Sequence, residues 1–126
     1  MKPVRIGWEL KKLIEENALA LSTTDDKGNP HCIAVGYVKV VSKKQLLITD
    51  DYMFETTKNI RRNPNVALSV WNTGWKKNCV GYELRGTAKY FKKGKYYEAV
   101  KRIPENKGEP LKGAVVATIK KIKRLS

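Results

Sequence analysis

Between Ala18 and Val41 the chain runs apolar, turns sharply, and runs apolar and β-branched again. The turn is Asp25-Asp26-Lys27-Gly28-Asn29-Pro30. Gly28 can take a positive φ without steric cost, and the aspartates can bond their own backbone. Such a turn between strand-forming segments makes a β-hairpin. Two strands are not stable alone in water, so the rest of the chain must supply strand partners.

The remaining segments do so. Ala18 to Thr24 and His31 to Val41 form the hairpin, and Gln45 to Thr49 follows the turn Ser42-Lys43-Lys44. Asn65 to Trp71, Tyr82 to Phe91 and Ala114 to Ile122 complete the strand set. Gly86 inside the fifth of these marks a bulge or a close backbone approach. Ile6, Leu10, Leu13 and Ile14 share one helical face opposite Glu9, Lys11, Lys12, Glu15 and Glu16, with Asn17 to end the helix. Glu55 to Asn63 is a second short helix closed by Pro64, and Tyr96, Tyr97, Val100 and Ile103 outline a third. Strands joined first by hairpins argue for an antiparallel barrel rather than alternating βαβ units. The expectation is one domain over 1–126, all-β and mainly antiparallel: a six-stranded barrel with short flanking helices. With 126 residues the core is modest, and oligomerisation would help bury apolar surface.

The sequence holds 26 Lys and Arg against 12 Asp and Glu, a net charge of +14. Such a field attracts anions of any kind, from nucleic acid to phosphorylated small molecules. The basic end Lys120-Lys121-Ile122-Lys123-Arg124 reads as solvated charge. Cys32, Cys79 and the single histidine, His31, are too few for a zinc site. Both cysteines read as reduced structural thiols, and His31 as a solvent-facing side chain at a strand start. No apolar run is long enough to span a membrane, and Met1 to Arg5 lead into charged residues rather than a signal-peptide core. The expected location is cytoplasmic.

Three segments carry a family resemblance, in order across nearly the whole chain. They are Ala20-Leu21-Ser22-Thr23 to Gly28-Asn29-Pro30-His31, then Thr56-Thr57-Lys58-Asn59-Ile60-Arg61-Arg62-Asn63-Pro64-Asn65-Val66-Ala67-Leu68, then Leu84-Arg85-Gly86-Thr87-Ala88. Together they resemble the pyridoxamine 5'-phosphate oxidase-like FMN-binding split-barrel family. The resemblance implies a split barrel that works as a homodimer, with FMN at the dimer interface. By position, the flavin would lie against Ala34, Val35, Gly36 and Tyr37. Its phosphate would be held near Thr49 and Asp50 and by Glu55, Thr56, Thr57 and Lys58. The strand Leu84 to Ala88 and the loop bearing Trp75 would face the partner subunit, and Trp75 is also a candidate for stacking on the ring. A deazaflavin is an alternative occupant.

The residues themselves agree in part. A helix N-terminus offers free N–H donors and partial positive charge to a phosphate. Thr56 and Thr57 add hydroxyls, and Lys58 a cation. Taken alone, that segment fits an exposed first helical turn equally well, Ala34, Val35 and Tyr37 fit a plain sheet, and Trp75 fits a surface aromatic. Glu55 departs from the family, which often places Lys or Arg there. No acid–base pair stands out, so no catalytic residue is assigned. The resemblance implies FMN-dependent redox chemistry on an unknown substrate. Two other readings stay open. One is an electron-transfer flavoprotein without its own substrate. The other is a basic nucleic-acid-binding barrel, resting on the charge and on Tyr37, Trp71, Trp75 and Tyr90, though no RNP-like signature supports it.

Overall fold

The computed structural model describes residues 3–126. The elements run α1 (Trp8–Glu16), β1 (Leu19–Thr24), β2 (Pro30–Val35), β3 (Val38–Val40), β4 (Gln45–Asp50), α2 (Glu55–Arg62), β5 (Asn65–Trp71), β6 (Gly81–Phe91), α3 (Lys95–Lys101), a 3-10 turn over Pro104–Asn106, and β7 (Gly113–Arg124). The Asp25 turn forms as the sequence dictates. Gly28 sits at φ +85°, and Asp25 accepts the N–H groups of Lys27 and Asn29 at 2.9 and 2.8 Å. These N–H bonds hold the Asp25 carboxyl below its ordinary value.

One antiparallel sheet of seven strands is ordered β2-β1-β5-β6-β7-β4-β3. β2 and β3 lie at its two opposite edges, yet only Gly36 and Tyr37 separate them in sequence. Consecutive Cα atoms are about 3.8 Å apart, so the two edges must approach one another. The sheet therefore curls into a barrel that stays unpaired between β2 and β3. This is the split barrel, and it corrects the strand count from six to seven. The expected continuous strand from His31 to Val41 breaks because Val35 still pairs with Leu19 on one edge, while Val38 already pairs with Ile48 on the other.

Inward-facing side chains fill the barrel: Leu19 and Leu21, Leu46 and Ile48, Val66, Leu68 and Val70, Leu84, and Val115, Ala117 and Ile119, closed below by Leu10 and Ile14 of α1. A second cluster lies outside it, where Val100 and Ile103 cover Leu47, Ala114 and Val116. β4 and β7 are thus buried on both faces, which explains their unbroken apolar runs. Between Arg85 and Gly86 the β6–β7 register slips. A Cβ at Gly86 would run into the Thr118 carbonyl, so the glycine marks both a bulge and a close approach.

Candidate functional site

The split opens into a cleft of about 560 Å³, within the usual range for small-molecule sites. One wall is β2 and its exit: His31, Ile33, Ala34, Val35, Gly36 and Tyr37. Facing it is the segment from Asp51 to Thr56, with Thr49 and Glu109 completing the lining. The walls are held in place by specific bonds. The Thr49 N–H donates to the Tyr37 carbonyl at 3.1 Å, fixing the β2–β3 crossover to β4. α2 is tied to the first hairpin along one face at i, i+4 and i+7 spacing: Glu55 Oε2 lies 3.4 Å from His31 Nδ1, Asn59 Nδ2 donates to Thr23 Oγ1 at 3.0 Å, and Arg62 pairs with Asp26 at 3.5 Å.

Asp50 sets the turn from β4 into α2. It is buried, accepts the Met53 N–H at 2.8 Å and the Tyr90 hydroxyl at 2.5 Å, and lies 3.8 Å from Lys112 Nζ. Lys112 also donates to the Met53 carbonyl. Burial raises the Tyr90 phenol, and donation to Asp50 raises it further. Asp50 is therefore absorbed in structure behind the cleft and does not line it.

Two of the lining threonines carry a hydroxyl with no partner among the described residues. Thr49 Oγ1 and Thr56 Oγ1 are both buried without a hydrogen bond. Buried polar groups in folded proteins are nearly always paired, with protein, water or a bound group, so two such hydroxyls at one cleft fit a site that takes a polar ligand. Gly36 adds a second sign. A Cβ there would meet no protein atom within 4 Å, and its φ is not positive. Neither packing nor backbone conformation demands glycine; the space in front of it is the cleft.

The sequence-derived residues fall into two groups. Ala34, Val35, Gly36, Tyr37, Thr49, Glu55 and Thr56 come together in the lining. Asp50, Thr57, Lys58 and Trp75 do not. The Thr57 hydroxyl donates to the Phe54 carbonyl at 3.1 Å. Lys58 is exposed one position further on, and Trp75 stands in a surface loop with Lys76 over its ring. In the strand Leu84 to Ala88, Leu84 and Ala88 point into the core.

Sequence reasoning missed several lining residues. His31 is half-buried in the cleft rather than solvent-facing. Asp51, Tyr52, Phe54 and Glu109 also line it. Tyr52 donates to Glu109 Oε2 at 2.5 Å, which raises the phenol. Burial lifts the Asp51 carboxyl above its ordinary value, opposed by the amide of Asn106 and reinforced by Glu109 and Asp50. Among the described residues, no lysine or arginine lines the cleft, whereas Asp51, Glu55 and Glu109 do. In a molecule of net charge +14 this hollow is locally acidic.

A family profile described as pyridoxamine 5'-phosphate oxidase matches residues 8–126. An uncharacterized protein of Methanocaldococcus jannaschii is 33% identical over 126 residues, covering 97% of this chain and 82% of that protein. HupZ of Group A Streptococcus superposes with a TM-score of 0.86 at 24% identity, covering 95% of this chain and 94% of that one. An FMN-binding protein from Syntrophomonas wolfei subsp. wolfei gives a TM-score of 0.81 at 20% identity, covering 92% and 83%. At these identities the structural matches establish the fold. Because the profile spans nearly the whole sequence, this chain belongs to the pyridoxamine 5'-phosphate oxidase family.

Proposed function

We propose that the chain binds FMN in the β2–β3 cleft, as a homodimer, and serves as a flavin-dependent oxidoreductase. The observation that carries this is the pair of buried, unpartnered hydroxyls of Thr49 and Thr56 beside the N-terminus of α2. The name of the Syntrophomonas relative, an FMN-binding protein of the same fold, supports the choice of ligand. When bound, the isoalloxazine would carry hydride or electrons; the protein supplies position and charge. Ala34, Val35, Gly36 and Tyr37 offer the surface for the ring. The N–H groups of Glu55, Thr56 and Thr57 and the two hydroxyls offer donors to the phosphate. Lys58 adds charge from the flank, and Asp50 positions the turn.

The lining of this cleft is acidic. A dianionic phosphate would meet three carboxylates and, among the described residues of one copy, no lysine or arginine. A second strongly basic subunit closing over the cleft would offset that charge, which is one physical reason to expect a dimer. The test is the visible spectrum of the purified protein after desalting, followed by titration with FMN, riboflavin and a deazaflavin. Retained flavin bands, with FMN bound tightest, are the expected result. A colourless protein that binds none of the three ends the proposal.

A further inference from the structure

We infer that His31 is a specificity-determining residue: by holding its imidazole against the Glu55 carboxylate, it tunes how strongly a phosphorylated ligand is preferred at the N-terminus of α2. This rests on the phosphate placement proposed above. Phe54 precedes α2 and makes no side-chain cap bond, so nothing in the first turn accepts its leading N–H groups through a side chain. Glu55, the first helical residue, places its own carboxylate at this positive end. Glu55 therefore competes with any phosphate for the same field. At that end of the cleft the Thr56 hydroxyl, on a residue only 1% exposed, has no partner among the described residues.

Among the described residues, His31 is the one lining side chain able to become a cation. Its Nδ1 lies 3.4 Å from Glu55 Oε2. The other groups around the pair cannot take its place. Asp51 and Tyr52 come from the β4–α2 turn, and Glu109 from the segment before β7; two are carboxylates and the third donates to Glu109. In the β1–β2 turn, Asp25 holds its own backbone and Asp26 engages Arg62. Lys112 is committed to Asp50 and the Met53 carbonyl. Lys58 is exposed and outside the lining. Histidine is the side-chain type that changes charge near neutral pH. With His31 protonated, the Glu55 charge is neutralised and the α2 N-terminus is open to phosphate. With His31 neutral, the carboxylate stands alone and repels it.

The experiment compares FMN with riboflavin, which lacks the phosphate, by flavin fluorescence quenching at about pH 5.5 and about pH 8. The proteins are the wild type, H31Q, E55Q and the double variant. In the wild type the preference for FMN should fall about fivefold as pH rises, the size of one partly exposed ion pair. H31Q should show the weak preference at both pH values, and E55Q the strong preference at both. Adding H31Q to E55Q should change nothing further. The second ionisation of the phosphate falls in the same range but is common to all four proteins, so the difference between their curves is what counts. Riboflavin affinity reports whether each variant keeps an intact cleft. If H31Q matches the wild type at both pH values, or weakens FMN equally in the E55Q background, the role of His31 is overturned while the phosphate site stands. If the wild type binds FMN and riboflavin equally at both pH values, the phosphate placement falls, and the His31 inference with it.

Discussion

Single atoms carry the difference between the proposed ligand site and a well-packed barrel end. Thr56 Oγ1 lies buried with no partner, an arrangement that costs stability. Thr56→Val removes the hydroxyl while keeping a similar shape. We expect it to leave folding stability unchanged or raise it, and to weaken FMN by about 1.5–3 kcal/mol, the scale of a bond to a charged group. Riboflavin should be much less affected. Equal losses for the two ligands, measured by isothermal titration, would move the phosphate elsewhere. Gly36 gives the complementary test at the ring. A Cβ there meets only open cleft, so Gly36→Val should melt close to the wild type yet lose flavin of either kind. A large drop in melting temperature would show that the protein itself needs glycine at this position. Thr49, Thr56 and Ala34 to Tyr37 were legible through the family pattern. His31 and Glu109 were not, because nothing in a strand-start histidine or a loop glutamate announces which cavity it will face.

The strand break and the α2 docking show elements answering to partners rather than to local propensity. The stretch from His31 to Val41 is strand-forming almost throughout, but its two halves pair with β1 and with β4 at opposite sheet edges. Only closure of the barrel separates them. α2 carries few apolar residues, with Ile60 as its one aliphatic core contact, and is anchored by Glu55, Asn59 and Arg62 along one face. Helical spacing puts those three on the same side, while the partners in the hairpin are visible only in three dimensions. Gly86 was readable as a special backbone position because glycine is otherwise unfavourable in a strand. Gly86→Ala should destabilise the protein by about 1–3 kcal/mol, because the added methyl meets the fixed Thr118 carbonyl. Urea unfolding should show a lower midpoint with an unchanged slope. A midpoint equal to the wild type would mean that the bulge opens without strain.

For the molecule as a whole, charge and exposed aromatic surface both bear on assembly. Tyr52 and Phe54 line the cleft yet are 74% and 76% exposed. Large apolar surface of this kind beside a binding cleft marks a region suited to being covered. A two-fold copy is the commonest closed solution and would bring a second basic surface over the acidic hollow. If the dimer holds the flavin, mass action links the two. Dilution should release flavin, and added FMN should shift the population toward dimer in sedimentation velocity followed at the flavin band. Stoichiometric flavin on a dilute monomer would sink the shared site without touching flavin binding. Among the described residues, no helix is long and apolar enough to cross a membrane.

The sequence by itself determined the first hairpin, the strand-rich order with three short helices, and the glycine at the bulge. The hairpin and helices depend on contacts a few residues apart, and Gly86 was readable because glycine is unfavourable inside a strand, although what it lies against is Thr118 of β7. The sequence also carried the family pattern, and with it the position of the threonine-bearing helix start. Only the tertiary structure decided that one strand becomes two, that Asp50 lies behind the cleft and not in it, and that the cleft of a basic protein is lined by carboxylates. It alone set His31 against Glu55. Those features depend on which edges meet when the sheet curls, and residues 24 positions apart acquire an electrostatic relation only once the barrel has closed.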